Sequence, residues 1–252
     1  MLRAIRTRLQ QGQRTITFPA AEPELPPRYR GLPVLQPVRC VDGCRVCVDA
    51  CPTGALAVSP DLQLDLGRCL FCTECISACP TDAIRFSSQY RLAARSREDL
   101  VLHGAAGPER MRALDAQARR LFGRSLRLRQ VSAGGCNACE ADVAVLNTVV
   151  FDLGRFGIQF VASPRHADGI LITGPVTQNM REALRTTYAA IPEPRIVIAV
   201  GACAISGGPY IGHAEANDGA DATVPVDLYV PGCPPHPLTI LDGLLALLGR
   251  IP

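Results

Sequence analysis

Two stretches of this chain repeat one another 28 residues apart: Cys47-Val-Asp-Ala-Cys51-Pro52-Thr53-Gly54-Ala55-Leu56 and Cys75-Ile-Ser-Ala-Cys79-Pro80-Thr81-Asp82-Ala83-Ile84. Such self-similarity implies a duplicated unit with pseudo-twofold symmetry. Upstream cysteines extend each copy, giving Cys40-x3-Cys44-x2-Cys47-x3-Cys51-Pro52 and Cys69-x2-Cys72-x2-Cys75-x3-Cys79-Pro80. Four more, Cys136, Cys139, Cys203 and Cys233, bring the total to twelve in 252 residues. A disulfide-stapled secreted scaffold is usually shorter and begins with an apolar export segment, whereas this start is Arg-rich and then Pro-rich. The expectation is therefore thiolate ligands of metal in a reducing compartment. The strongest apolar stretches, 195–200 and 240–248, fall short of the roughly 20 residues that a membrane helix needs.

The run from Cys69 to Cys79 has the spacing of bacterial ferredoxins, in which three close thiolates cap three corners of a [4Fe-4S] cube and the fourth reaches a second cube. The run from Cys40 is the same with one extra residue in its first gap. Cross-ligation then predicts one cluster on Cys40, Cys44, Cys47 and Cys79, and another on Cys69, Cys72, Cys75 and Cys51. Zinc is the plainer alternative, but two four-cysteine runs ending in Cys-Pro are not a zinc pattern. Cys40-x3-Cys44-x2-Cys47 alone also matches radical S-adenosylmethionine enzymes. Here a fourth ligand is at hand and no barrel of alternating strands and helices follows.

The chain divides into four stretches. Residues 1–38 comprise an N-terminal amphipathic helix over Met1 to Gly12 and an extended Pro-rich segment. The helix sets Leu2, Ile5 and Leu9 among Arg3, Arg6 and Arg8. It suits an anionic membrane surface or a membrane-embedded partner, and also reads as a frayed, solvated terminus. Residues 39–95 form the ferredoxin-like α+β two-cluster domain, and 96–124 a linker with one helix around Glu109–Leu121. Residues 125–252 alternate strand and helix. Strands are expected at Leu126–Val131, Ile158–Val161, Gly169–Thr173, Ile196–Val200 and Asp227–Val230, and helices at Glu140–Leu153, Asn179–Ala190 and Pro237–Leu248. This is an α/β domain with a mostly parallel sheet, flavodoxin-like and three-layered. Ligands of such sheets gather at the carboxyl ends of the strands, and Cys136, Cys139, Cys203 and Cys233 all follow strands. They predict a third [4Fe-4S] cluster, with buried free thiols as the alternative for Cys203 and Cys233.

All 26 basic residues are Arg, with seven against two acids over 1–39 and ten against four over 91–129. Aromatics make up only 5% and do not interleave with the arginines, so nucleic acid is not an expected partner.

Three motifs carry a family resemblance: Gly134-Gly-Cys136-Asn-Ala-Cys139-Glu140, Gly201-Ala-Cys203-Ala-Ile-Ser206-Gly-Gly208 and Val230-Pro-Gly-Cys233-Pro-Pro235. They resemble the small subunit of membrane-bound, energy-converting [NiFe]-hydrogenases, relatives of the complex I subunit that holds its terminal cluster. The complex I version has two adjacent cysteines at the first site; Cys136-x2-Cys139 is the hydrogenase spacing. Upstream, Tyr29-Arg30-Gly31, Leu66-Gly67-Arg68-Cys69 and Ser87 to Leu92 resemble the two-cluster ferredoxin subunit of formate hydrogenlyase and complex I. The chain thus looks like a fusion of two such subunits, apart from the x3 gap in its first run. No twin-Arg signal or additional C-terminal cluster motifs of periplasmic hydrogenases are present.

The resemblance implies an electron-transfer subunit on the cytoplasmic side of the plasma membrane, with no complete catalytic site of its own. Its partners would be a hydrogenase-type large subunit, membrane-embedded subunits and a soluble electron donor or acceptor. A quinone-linked complex I-like module and an iron-sulfur sensor or scaffold are the competing readings. Glu140 matches an acidic family position suited to proton traffic, or serves simply as a helix N-terminal acid. His236 is placed to donate to a cluster sulfur, or is structural like His166 and His213. His103 is expected in solvent, and Asp168 and Asp227 are expected as turn residues.

Overall fold

A computed structural model describes residues 2–58, 61–104 and 113–251. The chain opens on α1 (Leu2–Gln11) and runs irregularly through the Pro-rich stretch to β1 (Pro33–Leu35). Short elements then surround the cysteine runs: α2 (Val46–Asp49), β2 (Leu56–Ala57), β3 (Gln63–Asp65), α3 (Glu74–Ala78), β4 (Ile84–Phe86) and β5 (Val101–His103). β1 pairs antiparallel with β4, and β3 lies between β2 and β5 in a second antiparallel sheet.

Two of these strands lie where the sequence signalled none. β1 forms inside the extended segment because Pro33 stands at its first position, where a missing N–H is tolerated. β5 forms within 96–124, expected to be a linker. Leu100 and Leu102 are buried there, and Arg97 donates to both carboxylate oxygens of Asp65 at 2.7 and 2.5 Å. The helix expected around Glu109–Leu121 is α4 (Ala116–Phe122), begun by Asp115, whose side chain accepts the Ala118 N–H at 2.9 Å. Residues 109–112 of that expectation lie outside the described residues.

The remainder runs β6 (Leu126–Ser132), α5 (Ala138–Val145), β7 (Ile158–Phe160), β8 (Gly169–Thr173), α6 (Gln178–Ala189), β9 (Ile196–Val200), α7 (Ala202–Ser206), β10 (Leu228–Val230) and α8 (Pro237–Leu247). Its five strands make one sheet in the order β10-β9-β8-β6-β7, every pair parallel. Every residue of β8 and β9 is buried, which is why both read as unbroken apolar runs. Alternate side chains feed two cores: Ile170, Ile172, Val197 and Ala199 one, Leu171, Ile196, Ile198 and Val200 the other. α8, buried along its whole length, packs into the second. The first is continuous with Leu64, Leu66 and Leu100 of the cysteine-rich half. Ser206 Oγ donates to the Gly67 carbonyl at 2.8 Å, and Ala94 and Tyr229 exchange backbone hydrogen bonds of 3.0 and 2.8 Å.

α5 is shorter than the expected Glu140–Leu153 helix. The Thr148 hydroxyl turns back onto the Val145 carbonyl at 2.8 Å, and Asp152 adopts a left-handed φ of 49° before a short 3-10 turn at Leu153–Phe156.

Candidate metal centres

The fold gathers cysteines that are distant in sequence. Cys40 has Cys79 and Cys44 in its electrostatic surroundings, and Cys47 has Cys40 and Cys79. Cys69 has Cys75, Cys51 and Cys72. The last cysteine of each run is thus brought to the other run's site. α2 and α3 carry Cys47 and Cys75 at equivalent points of the repeat, and each helix ends just before the cysteine that crosses over.

Backbone amides aim at the two crossing thiols in the same way. Ala55 N–H donates to Cys51 Sγ at 3.2 Å and Ala83 N–H to Cys79 Sγ at 3.3 Å. The hydroxyls of Thr53 and Thr81 lie 3.9 and 3.7 Å from the same sulfurs. Burial raises the Cys79 thiol, but the Thr81 and Ala83 amides outweigh it and leave the group below its ordinary value. Ligand spacing alone did not point to these threonines; the repeated Cys-Pro-Thr was their signal. Cys69 Sγ accepts the Phe71 N–H at 3.4 Å, in a loop bent by left-handed φ angles of 55° at Phe71 and 78° at Thr73. Cys51, Cys69, Cys72 and Cys75 together line one small cavity beside Phe86, whose ring stacks on Phe71 at 5.7 Å. Cys40 and Cys44 line an open cavity of about 380 Å³.

The third group forms at the carboxyl edge of the parallel sheet. Cys136 and Cys139 follow β6, Cys203 lies in α7 directly after β9, and Cys233 follows β10. Cys139 has Cys203, Cys233 and Cys136 around it, with Glu140 among them. Asn137 turns the chain between the first two with φ 72°. Gly201, with φ +92°, leaves room for the Cys139 thiol: a Cβ there would lie 2.5 Å from its Sγ. The loop after β8 presses equally close, since a Cβ on Gly174 would lie 2.5 Å from the Gly135 nitrogen. In that loop the buried Val176 takes φ 54°, rare for a β-branched residue, and its carbonyl accepts the Asn217 side-chain amide at 2.6 Å.

Burial pushes the Cys69 thiol up to about 12 and those of Cys75 and Cys203 to about 11, with neighbouring thiols adding to the effect. Cys40, Cys47, Cys139 and Cys233 are raised for the same reason. Clusters of dehydrated thiols suit a cationic iron-sulfur body that holds them as thiolates. Among the described residues no three His, Cys, Asp or Glu side chains close on a single ion. A cube, with one thiolate on each iron, is held by four cysteines, the number that line the cavity beside Phe86.

Adjacent groups lie within electrostatic range of one another. Cys75 has Cys47 among its neighbours, and Cys233 has Cys72. Cys72 and Cys233 face a common cavity of about 340 Å³, with Tyr29, Phe71 and His236 in its wall. Glu140 Oε1 accepts hydrogen bonds from the Ser132 and Thr173 hydroxyls, both 2.6 Å. Burial raises its carboxyl, and these bonds more than offset that, holding it ionised. His236 caps α8, its Nδ1 accepting the Leu238 N–H at 3.1 Å, and meets Tyr29 edge-on at 5.2 Å. Burial lowers its pKa and favours the neutral ring. His103, His166 and His213 are exposed. Asp168 and Asp227 accept the Arg127 and Val197 N–H groups at 2.7 and 2.8 Å, pinning strands rather than joining a centre.

Residues 136–247 match the family described as NADH ubiquinone oxidoreductase, 20 Kd subunit, and residues 39–83 match a 4Fe-4S dicluster domain. A probable membrane-bound hydrogenase subunit of Pyrococcus furiosus is 41% identical over 136 residues, 54% of this chain and 81% of that protein. The chain belongs to the 20 Kd subunit family. Formate hydrogenlyase subunit 7 of Escherichia coli is 44% identical over 51% of this chain, and the match spans half of its own length. An NADH-quinone oxidoreductase subunit of Citrifermentans bemidjiense is 45% identical over 46% of this chain and 68% of its own. Within this family the present chain carries a 4Fe-4S dicluster domain on the N-terminal side of the match.

Proposed function

We propose that this family member relays electrons within a membrane-associated, hydrogenase-type complex through three [4Fe-4S] clusters. One would rest on Cys40, Cys44, Cys47 and Cys79, the next on Cys51, Cys69, Cys72 and Cys75, and the third on Cys136, Cys139, Cys203 and Cys233. Bound there, the clusters supply one-electron redox chemistry. On this reading residues 39–95, together with β5, form a ferredoxin-like two-cluster unit. Residues 125–252 form a flavodoxin-like, three-layer unit, joined to it through 96–124. The observation that carries the reading is that successive cysteine groups lie within electrostatic range of one another, Cys47 with Cys75 and Cys72 with Cys233, the latter pair on the wall of one cavity.

The protein's own residues have distinct tasks. Amides of Ala55, Phe71 and Ala83 stabilise negative sulfur, which tends to raise reduction potential. The Phe71–Phe86 stack covers the middle group against water. At one end the exposed Cys40 offers access to a soluble donor or acceptor. At the other, the exposed Cys136 and Cys233 offer a face to a large partner protein with its own metal centre. With all twelve cysteines assigned, none remains for a nickel site. The complex would sit on the cytoplasmic side of the plasma membrane with membrane-embedded partners.

The spacing Cys136-x2-Cys139 favours the hydrogenase-type complex over a quinone-linked one. Purification of the native complex tests this. A large subunit carrying paired Cys-x2-Cys motifs is expected to accompany the chain, and isolation as a stable monomer would count against the relay.

A further inference from the structure

We propose that α1 and the turn at Val149–Val150 form one surface that docks on an anionic lipid bilayer. This deepens the reading of the chain as part of a membrane-associated complex. It supplies a membrane contact made by this chain itself, since no described helix is long and apolar enough to cross a membrane.

α1 has no buried residue, so nothing among the described residues covers its apolar side. Leu2, Ile5 and Leu9 recur at three- and four-residue intervals and fall on one face. They are 84, 53 and 79% exposed. Arg6 and Arg3 follow along one flank of that stripe and Arg8 lies on the other, an arrangement that lets apolar groups enter a bilayer while guanidiniums remain among headgroups. The helix closes at Gly12, with φ +64°, where the Arg8 guanidinium donates to the Gly12 carbonyl at 3.0 Å.

The body of the protein offers apolar side chains close to the end of this segment. Just past the helix, the Thr15 hydroxyl donates to the Val149 carbonyl at 2.8 Å and Ile16 N–H to the Val150 carbonyl at 2.9 Å. That tie fixes the segment that follows the helix beside two further exposed apolar side chains, Val149 at 64% and Val150 at 39%. Arg3, Arg6, Arg8 and Arg14 lie in this stretch, and the first acid in the sequence is Glu22. A helix with an apolar stripe bordered by arginines and without an acid of its own complements a negatively charged, oil-backed surface, which a neutral bilayer is not.

Flotation of the full-length, cluster-loaded chain with vesicles tests the proposal. Vesicles of phosphatidylcholine with one part in three phosphatidylglycerol should bind it at least about tenfold more tightly than phosphatidylcholine alone. Raising the salt from about 0.1 to 1 M should remove most of that preference. Arg6→Gln should weaken binding about fivefold, and Leu9→Glu and Val149→Asp by more. Equal binding to both vesicle types, no binding to either, or undiminished binding by L9E would overturn the proposal. Iron content measured on the same samples keeps the two readings apart: unaltered iron with lost flotation removes only the lipid surface, whereas missing iron removes the relay.

Discussion

Among the described residues of 33–104 the longest regular element is the five-residue α3, whereas 126–247 contain a seven-residue strand and a twelve-residue helix. The cores differ in kind as well. In the first region Cys47, Cys69 and Cys75 are themselves buried core residues. In the second, Leu, Ile and Val fill both faces of a parallel sheet, and a buried Leu contributes about 1.5–3 kcal/mol. On the proposed reading one region depends on what its thiols bind, whereas the other carries a group of thiols on a sheet with apolar cores on both faces.

The largest expected effect breaks that contrast open. Stripping metal by anaerobic chelation should abolish amide-exchange protection through 33–104 while β8 and β9 keep theirs. Because Leu64, Leu66 and Leu100 share a core with Ile170 and Val197, simultaneous loss of protection in both regions would show that the scaffold is not independent.

A smaller, local effect should come from Gly201→Ala. The new Cβ would lie 2.5 Å from Cys139 Sγ at a left-handed φ, a strain of about 1–3 kcal/mol focused on the third group. Iron should fall by about a third while the two N-terminal groups keep theirs, as read by iron analysis. An equal loss across all groups would contradict a separate third centre.

The smallest concerns the segment laid between the regions. Glu22 accepts hydrogen bonds from the Arg91 guanidinium and from the Tyr90 hydroxyl, the latter at 2.9 Å, and both hold its carboxyl below the usual value. A depressed folded pKa stabilises above the unfolded value and is lost as pH falls through the folded one. Glu22 is exposed, so Glu22→Gln should cost less than about 1 kcal/mol at pH 7, and the difference from wild type should vanish on acidification well below about pH 4. Chemical denaturation at two pH values checks it.

What could be read in the sequence follows the same division. The strands at Gly169–Thr173 and Ile196–Val200 appear with those bounds, because doubly covered parallel strands are uniformly apolar. The gathering of Cys136, Cys139, Cys203 and Cys233 was legible from the strand ends they follow. β1 and β5 were not, since three-residue strands owe their existence to distant partners and leave no local periodicity. Nor was the setting of Glu140: the hydroxyls of Ser132 and Thr173 meet it only because β6 and β8 are neighbours. The early end of α5 was hidden by apolar residues that continue past it into a turn.

On the proposed reading all twelve cysteines serve three tetranuclear centres. Anaerobic iron and sulfide analysis with low-temperature EPR on the reduced full-length chain tests it most directly. About twelve iron and twelve sulfide per chain, with three [4Fe-4S] signals, are expected. About eight iron, or stoichiometric zinc, would contradict that reading.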